Sequence, residues 1–276
     1  MLAGQNLSPD DPLYNSAFLF VIDGAIDVAA FREAFSRLVA DAEALRTSIK
    51  AQTGTAWQEV REIPDFDLPM IDFSEDPDPD ASAMAWAKKK AKQTFDIETT
   101  TFDSALVKLA ENRFAWYLNQ HHLVTDAKSI EVLFRHLEEL YVLAESGTTR
   151  HIDPIPSFST YLDYELQAAE GREPDPSLSI VPPPLYGQPL QATGTDNERI
   201  EIVLSEHLSD DLRQLANRPG NGALTRDLGQ LQLFATATFA FLKRVSGQET
   251  ITIAAPAHNR VKREFASTAG LLIELF

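Results

Sequence analysis

The chain contains no cysteine among its 276 residues. Disulfide bonds, thiolate metal sites, iron–sulfur clusters and covalent cysteine catalysis are therefore excluded. Any nucleophile, acid or base in this chain must come from another side chain, and histidine is the side chain whose ordinary pKa lies closest to neutral pH.

Long apolar runs and basic charge are also scarce. No apolar run is long enough to span a bilayer, and the first six residues, MLAGQN, lack the basic and apolar regions of a signal peptide. Lys and Arg number 24 against 41 Asp and Glu, a formal net charge of -17, so long-range repulsion disfavours nucleic acid and anionic membranes as partners. We therefore expect a soluble cytoplasmic protein that binds neither nucleic acid nor membrane.

The remaining composition indicates a folded chain, because 44% of the residues are hydrophobic and the length suits one large domain or two lobes. Hydrophobic periodicity predicts alternating strands and helices, typical of a mixed α/β fold. Strands are predicted at 17–22, 105–109, 114–118, 199–204 and 251–255, and a hairpin at 47–50 and 57–61 around Thr53 and Gly54. Helices are predicted after a cap at Asp27 and at 81–95, 130–147, 209–216 and 228–245. Residues 64–79, with four prolines, are predicted to be a surface connection, and four phenylalanines are predicted to lie in the core: Phe31, Phe35, Phe134 and Phe239.

Prolines mark the strongest candidate boundary. Six of them fall between residues 171 and 195, where neither helical nor strand periodicity is present. We therefore predict an N-terminal lobe at 1–170, a proline-rich crossover at 171–198, and the beginning of a C-terminal lobe at 199–276. The last seven residues are almost all apolar, so we expect the second lobe to be incomplete in this chain.

The most informative motif is the sequence HHLVTD, from His121 to Asp126. The preceding strand places Phe114, Trp116 and Leu118 on one face, as in a half-buried strand, and a helix with apolar three-and-four spacing follows. The histidine pair thus lies on a strand-to-helix connection. Such a connection can expose one imidazole to a cavity while its neighbour lies in the wall.

The residues alone leave other interpretations open, two for the motif and one for the nearby Ser129. The two histidines can be an ordinary pair at a strand end. A metal site made of His121, His122 and Asp126 has suitable side chains but no further cluster of ligands. Ser129 has no nucleophile-elbow context, which disfavours covalent catalysis by its hydroxyl.

The motif and its context resemble a known family. Residues 121–127 resemble the HHxxxDG motif of nonribosomal peptide synthetase condensation domains, which belong to the chloramphenicol-acetyltransferase-like superfamily; Ala127 stands where the family usually has Gly. Four further stretches follow in the family's order: 43–49 resembles HExLRTxF, 161–164 resembles YxDYA, 253–260 is similar to GTPxxNR, and 270–273 is similar to GxFVN. The resemblance implies an α/β, chloramphenicol-acetyltransferase-like two-lobed fold with a mixed sheet flanked by helices and an incomplete second lobe.

The resemblance also implies roles for individual residues. His122 would accept or position the proton of an attacking amine, and His121 would point into the wall and order the loop. Asp126 would be structural and would pair with Arg260. Arg46 is expected to support the site as an ion-pair or hydrogen-bond donor at the edge of the core, with a substrate ligand as the alternative, and Ser129 is expected to form a hydrogen bond at the helix start. The compact basic cluster Lys88, Lys89, Lys90 and Lys92 is either the solvated face of a helix or a docking site for an acidic carrier protein.

A family member would be a cytoplasmic acyltransferase of antibiotic or other secondary-metabolite biosynthesis. It would join an acyl thioester on a donor carrier protein to an amine, free or on an acceptor carrier protein, and so form an amide. The domain itself would need no cofactor or metal, and phosphopantetheine would arrive on the carrier proteins. Two alternatives are a stand-alone acyltransferase that forms esters from CoA or carrier thioesters, and a non-catalytic condensation-like recruitment domain.

Overall fold

The computed structural model describes residues 1–52, 55–62, 66–170, 200–218 and 225–275. The chain divides into two compact units, one formed by Met1–Arg172 with Pro256–Phe276 and the other by Glu173–Ala255. This differs from the sequence-based division, because residues 256–276 pack with the N-terminal part. The predicted crossover at 171–198 lies outside the described residues, and so does the predicted turn at Thr53 and Gly54.

The first unit contains most of the regular structure. Its helices are α1 (Leu2–Leu7), α2 (Val28–Asp41), α3 (Pro79–Ala91), α4 (Ala127–Ser146) and α5 (Phe158–Ala169). Its strands are β1 (Asn15–Asp23), β2 (Thr47–Gln52), β3 (Thr55–Val60), β4 (Met70–Asp72), β5 (Phe102–Ala110), β6 (Arg113–His121), β7 (Pro256–Ala257) and β8 (Glu274–Leu275). Short 3-10 turns lie at Glu43–Leu45 and Arg263–Phe265.

The main sheet has four strands in the order β1-β6-β5-β4. β6 pairs antiparallel with both neighbours, and β4 pairs parallel with β5, with Met70 opposite Leu106. The predicted pairing of 105–109 with 114–118 and the predicted hairpin, now β2 with β3, are confirmed. The expectation of a surface connection at 64–79 was wrong at β4. Leu68 beside it is buried, and the free edge of β5 offers backbone groups that a short extended segment can satisfy.

Strand β6 is covered on both faces, so the prediction of a half-buried strand was wrong. On one face Trp116 packs with Phe35 of α2 and Phe134 of α4. On the other face Tyr117 meets Trp86 of α3 edge-to-face, with ring centroids 5.0 Å apart. Because helices cover both sides, the end of β6 is a rigid base for the residues that follow it.

Helix α2 begins and helix α4 ends where the sequence predicts, whereas α3 ends at Ala91, four residues before its predicted end at residue 95. Asp27 caps α2 by accepting hydrogen bonds from the backbone N–H groups of Ala29 and Ala30. Helix α4 ends at Gly147, which adopts a left-handed conformation with φ 63°. Both ends confirm the predicted capping.

The second unit is described in part. Its helices are α6 (Glu206–Ala216) and α7 (Arg226–Ser246), which pack against each other and confirm the predicted helices at 209–216 and 228–245. The strands predicted at 199–204 and 251–255 were wrong, because the described residues 200–204 and 251–255 have no strand partner. Phe239, predicted to be core, is 39% exposed. Among the helices described here, none is both long and apolar enough to cross a membrane.

Candidate active site

The two histidines stand at the boundary between β6 and the turn that leads to α4. His121 is the last residue of β6, and its backbone N–H donates to the Thr101 carbonyl at 2.8 Å. The backbone N–H of His122 donates to the carbonyl of Tyr14 at 2.7 Å, and the carbonyl of His121 accepts from Val124 at 3.0 Å. The main chain is therefore fixed from both neighbouring segments, as expected for a site on a strand-to-helix connection.

His121 lies in the wall, as the sequence predicted. It is 1% exposed, its Nδ1 accepts a hydrogen bond from the backbone N–H of Leu123 at 3.2 Å, and its Nε2 lies 3.2 Å from Oε1 of Gln5. Burial, reinforced by His122 and the N-terminal ammonium, lowers the pKa of His121 to about 4. At neutral pH this imidazole is neutral and is a weak proton acceptor.

His122 has a different environment. It is half-buried, and its Nδ1 is buried with no hydrogen-bond partner among the described residues. Unpartnered buried polar atoms are uncommon in folded proteins, and a catalytic role is one of the explanations for them. Of the two histidines, His122 is the one whose ring retains an unused polar atom.

Asp126 joins the motif helix to the distant segment 256–276. Its carboxylate accepts two hydrogen bonds from the Arg260 guanidinium, one on each oxygen and both at 3.0 Å, and both side chains are at most 2% exposed. It also caps α4 by accepting from the backbone N–H of Ser129 at 2.8 Å. The pairing of Asp126 with Arg260 is thereby confirmed.

The ionisation of Asp126 follows from these contacts. Burial alone would raise the pKa of the carboxyl, but the hydrogen bonds from Arg260 and Ser129 outweigh burial and hold the pKa below its ordinary value. Leu272 adds a backbone N–H donor at 3.0 Å. With both oxygens used in this way, Asp126 has no free lone pair directed at a substrate or a metal, and it acts as a structural anion.

Ser129 connects the same two segments through its hydroxyl. Oγ lies 2.8 Å from Asp126 Oδ1 and 2.7 Å from the carbonyl of Gly270, and it accepts from the backbone N–H of Gly270 at 2.9 Å and from Arg260 at 3.0 Å. The single hydroxyl proton serves one of the two acceptors at a time. Ser129 therefore joins the start of α4 to the segment around Gly270, and it is fully buried.

The remaining side of Arg260 is held by main-chain carbonyls. Its guanidinium donates to the carbonyl of Thr268 twice, at 3.0 and 3.2 Å, and to the carbonyl of His258 at 3.0 Å. Neighbouring Asn259 adopts a positive φ of 50°. These carbonyls of its own loop therefore help to orient Arg260 toward Asp126, in addition to the ion pair itself.

Arg46 supports a different part of the unit. It donates to the carbonyls of Val39 and Ala40 near the end of α2, at 3.1 and 3.2 Å, and to the carbonyl of Arg61 just after β3, at 2.7 Å. It is a hydrogen-bond donor, as predicted, and these contacts join α2 to the hairpin. The hairpin reaches the histidines indirectly, because the Thr47 carbonyl accepts from the Thr101 hydroxyl at 2.6 Å.

The basic cluster lies at the C-terminal end of α3. Lys88, Lys89 and Lys92 are exposed, whereas Lys90 is half-buried and forms an ion pair with Asp103 at 3.1 Å. The structure therefore divides the predicted set into three solvated cations and one that is paired with the sheet.

A metal site gains no support from the described residues, which contain no group of three or more histidine, cysteine, aspartate or glutamate side chains placed to hold an ion. The substitution of Ala for the family's usual Gly at position 127 is accommodated, since Ala127 is exposed at the first position of α4. Gln5 and Tyr14 contact the histidine pair and were missed by sequence analysis. Neither carries a charge, a periodicity or a motif that marks it in the sequence.

Comparison with known proteins decides the family. A family model described as the condensation domain matches residues 1–275. The chain is a member of the condensation-domain family. The resemblance inferred from the HHxxxDG-like motif is confirmed.

Curated relatives of this condensation-domain chain are nonribosomal peptide synthetases. A phosphinothricin tripeptide synthetase of Streptomyces viridochromogenes is 27% identical over 279 residues, which cover 96% of this chain and 25% of that protein. The dimodular nonribosomal peptide synthase of Bacillus subtilis (strain 168) is 29% identical over 174 residues, covering 62% of this chain and 7% of that protein. The chain therefore spans a small part of the length of these relatives.

Solved condensation domains share the fold. The first condensation domain of the calcium-dependent antibiotic synthetase, in complex with a substrate analogue, matches with a TM-score of 0.75 and 20% identity, covering all of this chain and 66% of that one. A variant of the starter condensation domain of rhizomide synthetase, in complex with C8-CoA, matches with a TM-score of 0.73 and 21% identity, covering all of this chain and 63% of that one. The predicted chloramphenicol-acetyltransferase-like α/β fold is confirmed.

Proposed function

We propose that this chain supplies the histidine motif of a condensation domain that forms amides in a nonribosomal peptide or hybrid polyketide synthetase. The donor is an acyl thioester on the phosphopantetheine of a carrier protein, and the acceptor is an amine, free or on a second carrier protein. The observation that supports this proposal best is the contrast within the histidine pair. His121 has both ring nitrogens engaged, whereas the buried Nδ1 of His122 has no hydrogen-bond partner within the described part of the chain.

Aminolysis of a thioester needs an amine that has lost its proton, held about 3 Å from the acyl carbon. Three side chains of the motif are candidates for the proton acceptor. Asp126 is saturated with donors and is a weak base, and the lowered pKa of His121 makes it a weak base as well. His122 is therefore our assignment for the group that accepts or positions the amine proton.

The start of α4 supports a second part of the chemistry. The first backbone N–H groups of a helix have no intrahelical acceptor and lie at the positive end of the helix dipole. Ser129 N–H is occupied by Asp126, whereas Ala127 and Lys128 precede it in the same turn. The N–H groups of these two residues are our candidates for stabilising the oxyanion of the tetrahedral intermediate.

In this proposal the partners are carrier proteins, which hold the acyl group as a thioester because the chain has no thiol of its own to hold it. For the docking of an acidic carrier or its phosphate we assign Lys88, Lys89 and Lys92, which are exposed together at one end of α3. Lys90 is left out of the assignment because Asp103 already neutralises it. The domain itself uses no cofactor in this proposal.

The test is a mass-spectrometric turnover assay on the complete synthetase that contains this chain. Wild type is compared with His122→Ala, and the control is His151→Ala, since His151 is an exposed histidine that pairs with the exposed Asp153. Donors are an acyl-loaded carrier and a free acyl-CoA, and acceptors are a panel of amines and alcohols. We expect amide from the loaded carrier, a loss of about 100-fold or more in His122→Ala, and wild-type turnover in His151→Ala.

Other results point elsewhere. Equal turnover in wild type and His122→Ala would remove His122 from its role. Ester formed from free acyl-CoA without a carrier would favour the stand-alone acyltransferase. Carrier binding without product in any of the proteins would favour the recruitment domain.

A further inference from the structure

The side-chain amide of Gln5 has a single orientation in the structure. Its Nε2 group faces three main-chain carbonyls, those of Ser8, Pro9 and Asp11, at 3.2, 3.4 and 3.2 Å. Carbonyls only accept hydrogen bonds, so the NH2 group must face them and the oxygen must point the other way. The oxygen points at Nε2 of His121, 3.2 Å away.

Both nitrogens of His121 then require the same tautomer. Oε1 of Gln5 only accepts, so Nε2 of His121 must carry the proton. On the opposite side of the ring, Nδ1 accepts from the backbone N–H of Leu123 at 3.2 Å, so Nδ1 must be unprotonated. The other tautomer would place two acceptors face to face at Gln5 and two donors face to face at Leu123.

We propose that Gln5 is a positioning residue that holds neutral His121 in the Nε2–H tautomer and thereby fixes the turn from which His122 projects. The turn depends on His121 in two ways. Its ring accepts from Leu123, and its backbone carbonyl accepts from Val124 at 3.0 Å. His122 lies between these contacts, so an incorrect tautomer of His121 would release one side of the loop that carries it.

The surroundings of His121 favour a neutral ring held in one place. The groups that face it are His122, the N-terminal ammonium of Met1, and the rings of Tyr14 and Phe95, whose centroids lie 5.9 and 6.5 Å away. The two cationic or potentially cationic neighbours disfavour a second positive charge, and the aromatic rings exclude water. Gln5 is thus the one acceptor recorded for the proton on Nε2 among the residues the structure describes.

The first test measures the tautomer and pKa of His121 directly, by imidazole nitrogen NMR on the isotope-labelled 276-residue chain. We expect a protonated Nε2 and an unprotonated Nδ1 in wild type. Gln5→Glu puts a carboxylate against the ring and should raise the proton affinity of His121 about tenfold or more. The matched control is Asn6→Asp, the same amide-to-acid change on the next residue of α1, where the side chain is exposed.

Two results would overturn the assignment. One is a wild-type His121 that carries its proton on Nδ1. The other is an equal rise in the proton affinity of His121 in Gln5→Glu and Asn6→Asp, since a general charge effect would then explain both.

The second test separates positioning from mere anchoring of α1, and it rests on the proposed amide-forming function. Glu and Leu at position 5 both lose the donors to the three carbonyls, but only Glu keeps an acceptor for His121. We expect Gln5→Leu to lower kcat about tenfold at unchanged KM, and Gln5→Glu to recover most of it at a pH above the raised pKa of His121. An equal loss in both variants would mean that anchoring alone matters and would refute a positioning role.

The two tests fail separately. If no protein forms an amide while the NMR pattern holds, the proposed function fails and the role of Gln5 in fixing the tautomer stands. If wild type forms an amide while His121 is protonated on Nδ1, the role assigned to Gln5 fails and the proposed function stands.

Discussion

Removing the charge of Asp126 should destabilise the first unit more than the loss of an exposed ion pair does. Asp126→Asn keeps the size of the side chain and replaces one carboxylate oxygen with an NH2 group. Arg260 would then be a buried cation, 2% exposed in its side chain, without its anion. The NH2 group would also face a donor, because both carboxylate oxygens accept hydrogen bonds in the native structure.

The size of the effect follows from what is left behind. Removing one partner of a buried ion pair costs about 3 to 5 kcal/mol, chiefly because the other charge is left uncompensated in a medium of low polarity. The carbonyls of Thr268 and His258 still accept from the guanidinium and offset part of that cost. We therefore expect a loss of about 3 to 4 kcal/mol in the free energy of unfolding at neutral pH.

Tryptophan fluorescence during urea unfolding is the suitable assay. Trp57, Trp86 and Trp116 are the three tryptophans of the chain, and all belong to the first unit. The signal therefore reports the unit that contains the ion pair. The depressed pKa of Asp126 means that its stabilisation is present above the ordinary carboxyl pKa of 3.8 and is lost as the pH falls below it. The gap between wild type and Asp126→Asn should narrow in acid.

A matched exposed pair provides the control. Arg113 and Asp80 lie 2.6 Å apart, closer than the buried pair, but their side chains are 40% and 51% exposed. Asp80→Asn should cost about 1 kcal/mol or less, because water screens the charges. In a double-mutant cycle with Arg260→Met, Asp126→Asn should show a coupling of about 2 kcal/mol or more. A cost for Asp126→Asn equal to that of Asp80→Asn, or a coupling near zero, would refute the reasoning.

Three further predictions concern neighbouring residues. The fall in the pKa of His121 from 6.5 to about 4 corresponds to about 3 kcal/mol of stability, which is fully present above pH 6.5 and is lost as the pH falls toward 4. Urea unfolding of His121→Gln should lack this pH dependence. A variant with the same pH profile as wild type would contradict the prediction. Ser129→Ala should cost about 1 to 3 kcal/mol by thermal or urea unfolding, because it leaves the buried N–H of Gly270 unpaired, whereas Ser146→Ala on the exposed end of α4 should cost much less. Gly270→Ala should destabilise the unit, because the added methyl carbon would lie 2.3 Å from the ring of Phe158, and Phe158→Leu should relieve part of the loss; additive effects of the two changes would count against this clash.

The elements around the motif could be predicted because their signals are local. The apolar spacing that predicts α4, the cap at Asp27 and the stop at Gly147 depend on residues within one turn of each other. Asp126 and Arg260 are 134 residues apart in sequence, and their pairing was predictable only because both residues match segments of one family. The helices and strands were therefore predictable from local periodicity, whereas the contact between Asp126 and Arg260 was predictable only from the family resemblance.

The errors concern structure that depends on distant partners. Residues 200–204 have an apolar pattern suited to a strand, but Ile200 and Val203 are 84% and 89% exposed, and no strand among the described residues pairs with their backbone. The short β4 is the opposite case, since its three residues form a strand because β5 has a free edge. The contacts of Gln5 with His121 belong to the same class, because nothing near Gln5 in the sequence identifies its partner.

The contrast between the two histidines is a consequence of their position at the end of a strand. Strand β6 ends with the buried His121, and His122 is the first residue of the turn, where its side chain is half-buried. Fixing a wall residue at such a position requires partners from outside the strand, and the structure supplies them from Gln5 and from Tyr14, while Asp126 and Arg260 hold the far side of the turn. The position of the His122 ring therefore depends on groups that do not contact the ring itself. For that reason we expect sequence changes at these supporting residues to alter the chemistry of the site as surely as changes at His122 itself.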